Sequence, residues 1–85
     1  MATVEGPARV VMYSRPRCSL CDEARELILA ARARTAFEFE EISIEGSDDL
    51  EREFGIRIPV VLVNGEELFE YRLDPAQFAS AVAQD

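Results

Sequence analysis

The chain has 85 residues, enough for one small domain, and its 48% hydrophobic and 31% charged residues are those of an ordinary globular protein. A formal net charge of −8 argues against a nucleic-acid surface, which needs clustered positive charge, and no apolar run approaches the length of a membrane span. The opening MATVEGPARV lacks the basic start and apolar stretch of a secretory signal.

Residues 1–8 read as a tail containing Gly6-Pro7, and residues 9–85 as one domain without repeat, low-complexity tract or linker. RVVMY, Arg9 to Tyr13, has the β-branched and aromatic content of a buried strand. From Ser19 the period changes to helical: Leu20, Ala24, Leu27, Ile28 and Ala31 share one face, and the helix should fray near Thr35. Asp22 and Glu23 suit its positive end, and Arg32 and Arg34 its negative end. FEFEEISIE, Phe37 to Glu45, alternates as a strand, but its phase slips at Glu40-Glu41, which predicts a bulge or a strand end at that step.

Ser47 then caps a short helix, DDLEREF, with Leu50 and Phe54 four apart and Gly55 stopping it. Ile58 to Val63 is a β-branched run, Asn64-Gly65 suits a two-residue type I′ turn, and Glu67 to Tyr71 returns as the second arm of an antiparallel hairpin. Asp74 opens a last helix as N-cap, with Pro75 at its first position and Gln77 placed for a capping box. Leu73 and Phe78 have the spacing of a hydrophobic staple, and Phe78, Ala81 and Val82 should face the core. The order is β-α-β-α-β-β-α. Its first two strands should pair parallel through a right-handed crossover, giving a four-stranded mixed sheet with helices on both faces.

RPRCSLC holds the only two cysteines, Cys18 and Cys21, at a strand-to-helix junction. Such a pair in a chain without an export signal points to a reducing cytosol, where it is more often catalytic or metal-binding than structural. The loop they close is too short to staple distant elements. Unpaired N–H groups and the macrodipole at a helix start favour a thiolate, and Arg15 and Arg17 add positive charge, against Asp22 and Glu23. Cys18, nearest the loop, is the better nucleophile. Cys21, one turn in and near the apolar face, is placed to attack a mixed disulfide and release product. Two other readings remain: a pair of small buried hydrophobes, or part of a metal site, which without histidine or a third cysteine would need carboxylates or a second subunit.

Pro59 starts a run that otherwise reads as a central strand, so it should occupy the strand's first position or hold an unusual bond. Together, YSRPRCSLC, RIPVVLVNGEEL and the element order resemble the glutaredoxin-like branch of the thioredoxin superfamily, over nearly the whole chain from Arg9. The resemblance implies a thioredoxin-like α/β fold, Cys18 as the attacking and Cys21 as the resolving cysteine, and a cis Ile58-Pro59 bond flanking the sulfur. It implies further that Arg15 meets a glutathione carboxylate and that Ile58 bonds the substrate backbone. Ser19-Leu20 stands where glutaredoxins commonly have Pro-Tyr, Arg17 where thioredoxins have Trp, and LFEYRLDPAQ lacks the Gly-Gly pair of the glutathione pocket.

The expected function is that of a small cytoplasmic dithiol oxidoreductase acting on disulfide-containing proteins or small thiols. Arg15, Arg17, Ile58 and Pro59 are its expected substrate-binding residues. No bound cofactor, metal, nucleic acid or membrane is expected, glutathione is the candidate electron donor, and nothing demands more than a monomer. The alternatives are a binding module of the same fold with little turnover, and metal or cluster binding across a homodimer.

Overall fold

Every second residue of the first strand is sealed from water: Ala8, Val10 and Met12 are fully buried and Ser14 is 3% exposed. That alternation requires one face covered by helices, and the computed structural model, which describes residues 7–83, shows them. The elements are β1 (Ala8–Ser14), α1 (Ser19–Arg32), β2 (Phe37–Ser43), α2 (Asp48–Phe54), β3 (Val60–Val63), β4 (Glu66–Glu70) and α3 (Pro75–Val82). They form a four-stranded sheet in the order β2-β1-β3-β4, with β1 parallel to β2 and antiparallel to β3. This is the expected thioredoxin-like α/β arrangement. The first strand takes in Ala8, one residue before the expected start; residues 1–6 of the expected tail and residues 84–85 lie outside the described residues.

Two apolar clusters lie on the two faces. One joins Ala8, Val10 and Met12 to Ala24 and Ile28 of α1 and to Phe78 and Val82 of α3. The other joins Ile44 and Val60 to Phe54 of α2, with Tyr13 stacked on Phe54 at 4.2 Å between ring centroids. These two layers explain the phase slip in FEFEEISIE. The expected bulge is absent: β1 and β2 pair without interruption from Ala8↔Phe37 to Ser14↔Ser43. Phe37 and Phe39 pack on the α1 and α3 side while Ile44 packs on the α2 side, so both parities are apolar because both faces are covered. The irregularity falls in β4 instead, where Val61 pairs with Phe69 and Leu62 with Glu67, leaving Leu68 out of register and 41% exposed.

The local signals elsewhere act as their chemistry dictates. Asn64 and Gly65 both have positive φ, 53° and 86°, as a type I′ turn requires. Asp74 caps α3 by accepting from the N–H groups of Ala76 and Gln77 at 2.9 and 3.1 Å. The reciprocal half of the expected capping box does not form among the described residues, since Gln77 makes no side-chain bond to Asp74. Ser47 caps α2 through its hydroxyl, which accepts from Leu50 N–H. Gly55 ends α2 in a right-handed conformation, φ −53°, and not as a left-handed cap.

A polar link ties the start of α1 to β2. Ser14 Oγ donates to Glu41 Oε2 at 2.7 Å, and Arg25 holds both Glu41 oxygens at 2.7 and 2.6 Å while also reaching Asp22 at 2.8 Å. The slip position of the sequence thus carries a carboxylate on the α1 face, where a guanidinium meets it bidentately. The Arg25 hydrogen bonds, helped by Ser14 and opposed by burial, hold the Glu41 carboxyl below its usual range.

Two outcomes are expected. A carboxyl with a depressed folded-state pKa stabilises above its unfolded pKa and loses that contribution as pH falls through the folded value. Glu41→Gln should therefore unfold at lower urea than wild type near neutral pH, with the gap closing as pH falls below the ordinary glutamate range; a gap independent of pH would contradict the assignment. Phe78, 1% exposed and edge-on to Phe37 at 5.6 Å, anchors the larger cluster. Phe78→Ala should cost about 3–5 kcal/mol, read as a sharply lowered urea midpoint.

Candidate functional site

β1 ends at Ser14 and α1 begins at Ser19, with four residues between them. Arg17 makes the turn with a positive φ of 56°, and Cys18 takes the extended conformation of an N-cap, φ −119° and ψ 108°. A capping side chain normally offers oxygen to a free N–H of the first turn. Here sulfur does so: Cys18 Sγ accepts from Cys21 N–H at 3.1 Å, while the Cys18 carbonyl accepts from Asp22 N–H at 3.0 Å. Cys18 and Cys21 are joined as a disulfide, with Cα atoms 5.2 Å apart. The two sulfurs are unequal in access. Cys18 is partly exposed, whereas Cys21 is fully buried on the apolar face of α1 beside Ala24.

The charges around the pair are largely matched. Arg15 binds Glu51 of α2 at 2.6 Å, and its guanidinium lies against Gly55, so it spans from the cysteine loop to the end of α2. Asp22 is held by Arg25, and Glu23 lies 3.7 Å from Arg72. Arg17 is exposed and has no carboxylate partner among the described residues. The positive end of α1 and Arg17 therefore act on Cys18 with little opposition from the acids of the first turn.

The Ile58-Pro59 bond is cis, and Pro59 is fully buried. The antiparallel register Tyr13↔Val60 sets the residues before Val60 beside the end of β1, at the sheet end from which the cysteine loop leaves. The third strand begins at Val60 and not at Ile58 as the β-branched run suggested, because Pro59 has no N–H to give a ladder. Ile58, half-buried, stands outside the ladder, and among the described residues its N–H and C=O have no partner. The structure thus gathers Arg15, Arg17, Cys18, Cys21, Ile58 and Pro59 at one end of the sheet.

Two neighbours of this end were not singled out from sequence. Arg57 binds Glu67 and Glu70 at 2.9 and 2.8 Å and lies 5.3 Å over the Phe54 ring. Tyr71 donates its hydroxyl to Ile56 O at 2.7 Å. The hydrogen bonds of Arg57 to Glu67 and Glu70 and of Tyr71 to Ile56 join residues ten or more apart, so no local pattern announces them. An apolar cleft of about 210 Å³ lies elsewhere, between the C-terminal half of α1 and α3, and its lining holds neither thiol nor carboxylate. Among the described residues no three cysteine, histidine or acidic side chains converge as metal ligands do, and no helix is long and apolar enough to cross a membrane.

A partly exposed cysteine at a helix start, bonded to a buried one a turn in, is an arrangement suited to two-electron thiol chemistry. Residues 9–83 match the family model described as Glutaredoxin-like domain (DUF836). The solution structure of protein Ne2328 from Nitrosomonas europaea is 29% identical, with a TM-score of 0.80 over 98% of this chain and 100% of that one. The X-ray structure of protein XcR50 from X. campestris is 32% identical, with a TM-score of 0.72 over 84% of this chain and 91% of that one. A mutant thioredoxin from Halobacterium salinarum, 16% identical with a TM-score of 0.62 over 89% of this chain and 72% of that one, shares the fold. No curated protein matches the chain. With a close cysteine pair at the helix start of a thioredoxin-like fold, the chain belongs to the family described as Glutaredoxin-like domain (DUF836).

Proposed function

We propose that the protein is a small dithiol oxidoreductase that reduces or exchanges disulfides of proteins or low-molecular-weight thiols. The observation that carries this reading is the inequality of the two sulfurs, one partly exposed at the N-cap of α1 and the other fully buried at its third position.

In the reduced protein the Cys21 N–H and the positive helix end favour Cys18 as thiolate. Cys18 Sγ attacks one sulfur of a substrate disulfide, forming a mixed disulfide and expelling the other substrate sulfur as thiolate, which takes a proton from water. Cys21 then loses its proton and attacks Cys18 Sγ, closing the Cys18–Cys21 bond and expelling the second substrate thiolate. The substrate gains two electrons and two protons, and the protein dithiol is oxidised to the disulfide seen here. Two equivalents of a small thiol, glutathione in this proposal, return the dithiol and leave as their own disulfide. Arg17 supplies the unpaired positive charge beside the nucleophile. Arg15, engaged by Glu51, must exchange that partner for any substrate carboxylate. Ile58 offers its free N–H and C=O to substrate backbone, and Pro59 keeps that edge open. The setting we propose is a monomer in the cytoplasm, where thiols are kept reduced.

Cys18→Ser should abolish turnover of a disulfide substrate. Cys21→Ser should stop after the first attack and accumulate a mixed disulfide on Cys18, visible by intact mass. A serine at position 18 that leaves the rate unchanged, or a dithiol that resists oxidation in a glutathione buffer, would sink the reading and favour a binding module.

A further inference from the structure

We infer that Tyr71 is a positioning residue for disulfide exchange: it clasps the Ile56–Pro59 segment and so presents the open backbone of Ile58 to a polypeptide substrate. The inference rests on the exchange chemistry proposed above.

The backbone of Tyr71 is the first observation. Its φ is 65°, an outlier for a bulky side chain. Arg72 N–H bonds Glu70 O at 2.6 Å, which closes a three-residue γ-turn centred on Tyr71, in the less common form with positive φ. Such a conformation persists only where the surroundings over-determine it. Packing does not supply that constraint, because Tyr71 is 46% exposed.

Hydrogen bonds supply it. Tyr71 N–H bonds Pro59 O at 2.9 Å, and Tyr71 hydroxyl bonds Ile56 O at 2.7 Å. One residue therefore holds both ends of the segment that contains Ile58. Ile56 has no packing of its own to fix it, since it is 87% exposed. Between the two held points, Arg57 is drawn away to Glu67, Glu70 and the Glu53 carbonyl, and Ile58 is left with neither backbone group bonded among the described residues. Tyr71 directly follows Glu70, which pairs with Val60, so the clasp is referenced to the sheet itself.

A glycine at this position would reach the same φ without steric cost and would still donate its N–H. What a tyrosine adds is the bond to Ile56. Its role is thus to hold the far end of the segment, and its loss should release Ile58 without touching the cysteines.

Tyr71→Phe keeps the ring and removes that bond. Amide hydrogen exchange at position 71 and at Arg57 should accelerate roughly five- to tenfold, the size of one lost net hydrogen bond. KM for oxidised insulin, a polypeptide disulfide, should rise by a similar factor. KM and kcat for hydroxyethyl disulfide, which has no peptide backbone to pair, should stay at wild-type values, as should the Cys18/Cys21 potential. Tyr71→Gly should raise KM for insulin equally, showing that the hydroxyl is the operative group. Unchanged exchange at both amides overturns the clasp, and accelerated exchange with unchanged KM for insulin overturns its role in positioning. If the wild-type protein reduces neither disulfide, it is the oxidoreductase reading that fails, and the exchange rates then decide the clasp alone: acceleration supports it and none overturns it.

Discussion

A sulfur caps α1, and the geometry of the site depends on that contact. Cys18 is the N-cap and Cys21 is the third residue of the helix, so the spacing of the pair is the spacing at which a capping side chain meets its backbone donor. The same two residues are then linked twice, by the Cys21 N–H to Cys18 Sγ bond and by the disulfide. A cysteine one place earlier or later could not both cap the helix and bond the buried thiol. Because a cap must lie outside the helix while the third residue already turns with it, the first sulfur faces the loop and the second the core. Unequal access follows from helix geometry, before any neighbour is considered.

That cap works only if the start of α1 is held against the sheet. The apolar face does part of this: Cys21, Ala24 and Ile28 are all buried there. At the end nearest the cysteines the sheet is polar, where Ser14 and Glu41 stand side by side and Arg25 closes over them. A guanidinium spanning Asp22 and Glu41 joins the first turn of the helix to β2, while Arg15 and Glu51 join the cysteine loop to α2. The loop is thus braced to both layers, and neither brace uses the sulfurs or Arg17.

What the sequence disclosed and what it withheld divide along the range of the interactions. The cysteine spacing, Asn64-Gly65 and the Asp74-Pro75 helix start act within three or four residues, and each appears where local chemistry places it. The slip at Glu40-Glu41 marks no bulge, because a sheet with helices on both sides can bury either parity along an unbroken strand. The irregularity at Leu68 has a local mark that the reading of Glu67 to Tyr71 as a plain strand passes over: Leu68 and Phe69 are adjacent apolar residues and break the alternation. Tyr71 was hidden more thoroughly: a glycine there would have announced the positive φ, and a tyrosine at the end of a strand reads as ordinary strand. Arg15 drew notice as a charge near Cys18, but its partner lies 36 residues away and only the packing of α2 reveals it.

The distribution of charge gives the acidic composition a sharper meaning. All the positive side chains are arginine, and six of them, Arg9, Arg15, Arg25, Arg52, Arg57 and Arg72, are taken up in ion pairs. Among the described residues the other three have no carboxylate partner: Arg32 and Arg34 at the negative end of α1, and Arg17 beside Cys18. Exposed charges are screened beyond about 8–10 Å at physiological salt, so the net charge of −8 governs approach whereas Arg17 and the helix start govern the sulfur once contact is made. Under the proposed chemistry these act in opposite senses on an anionic small disulfide, slowing its arrival and favouring the thiolate it meets. A neutral or basic polypeptide disulfide meets no such opposition. Within the proposed chemistry, the charge of this surface therefore opposes an anionic small disulfide more than a neutral or basic polypeptide.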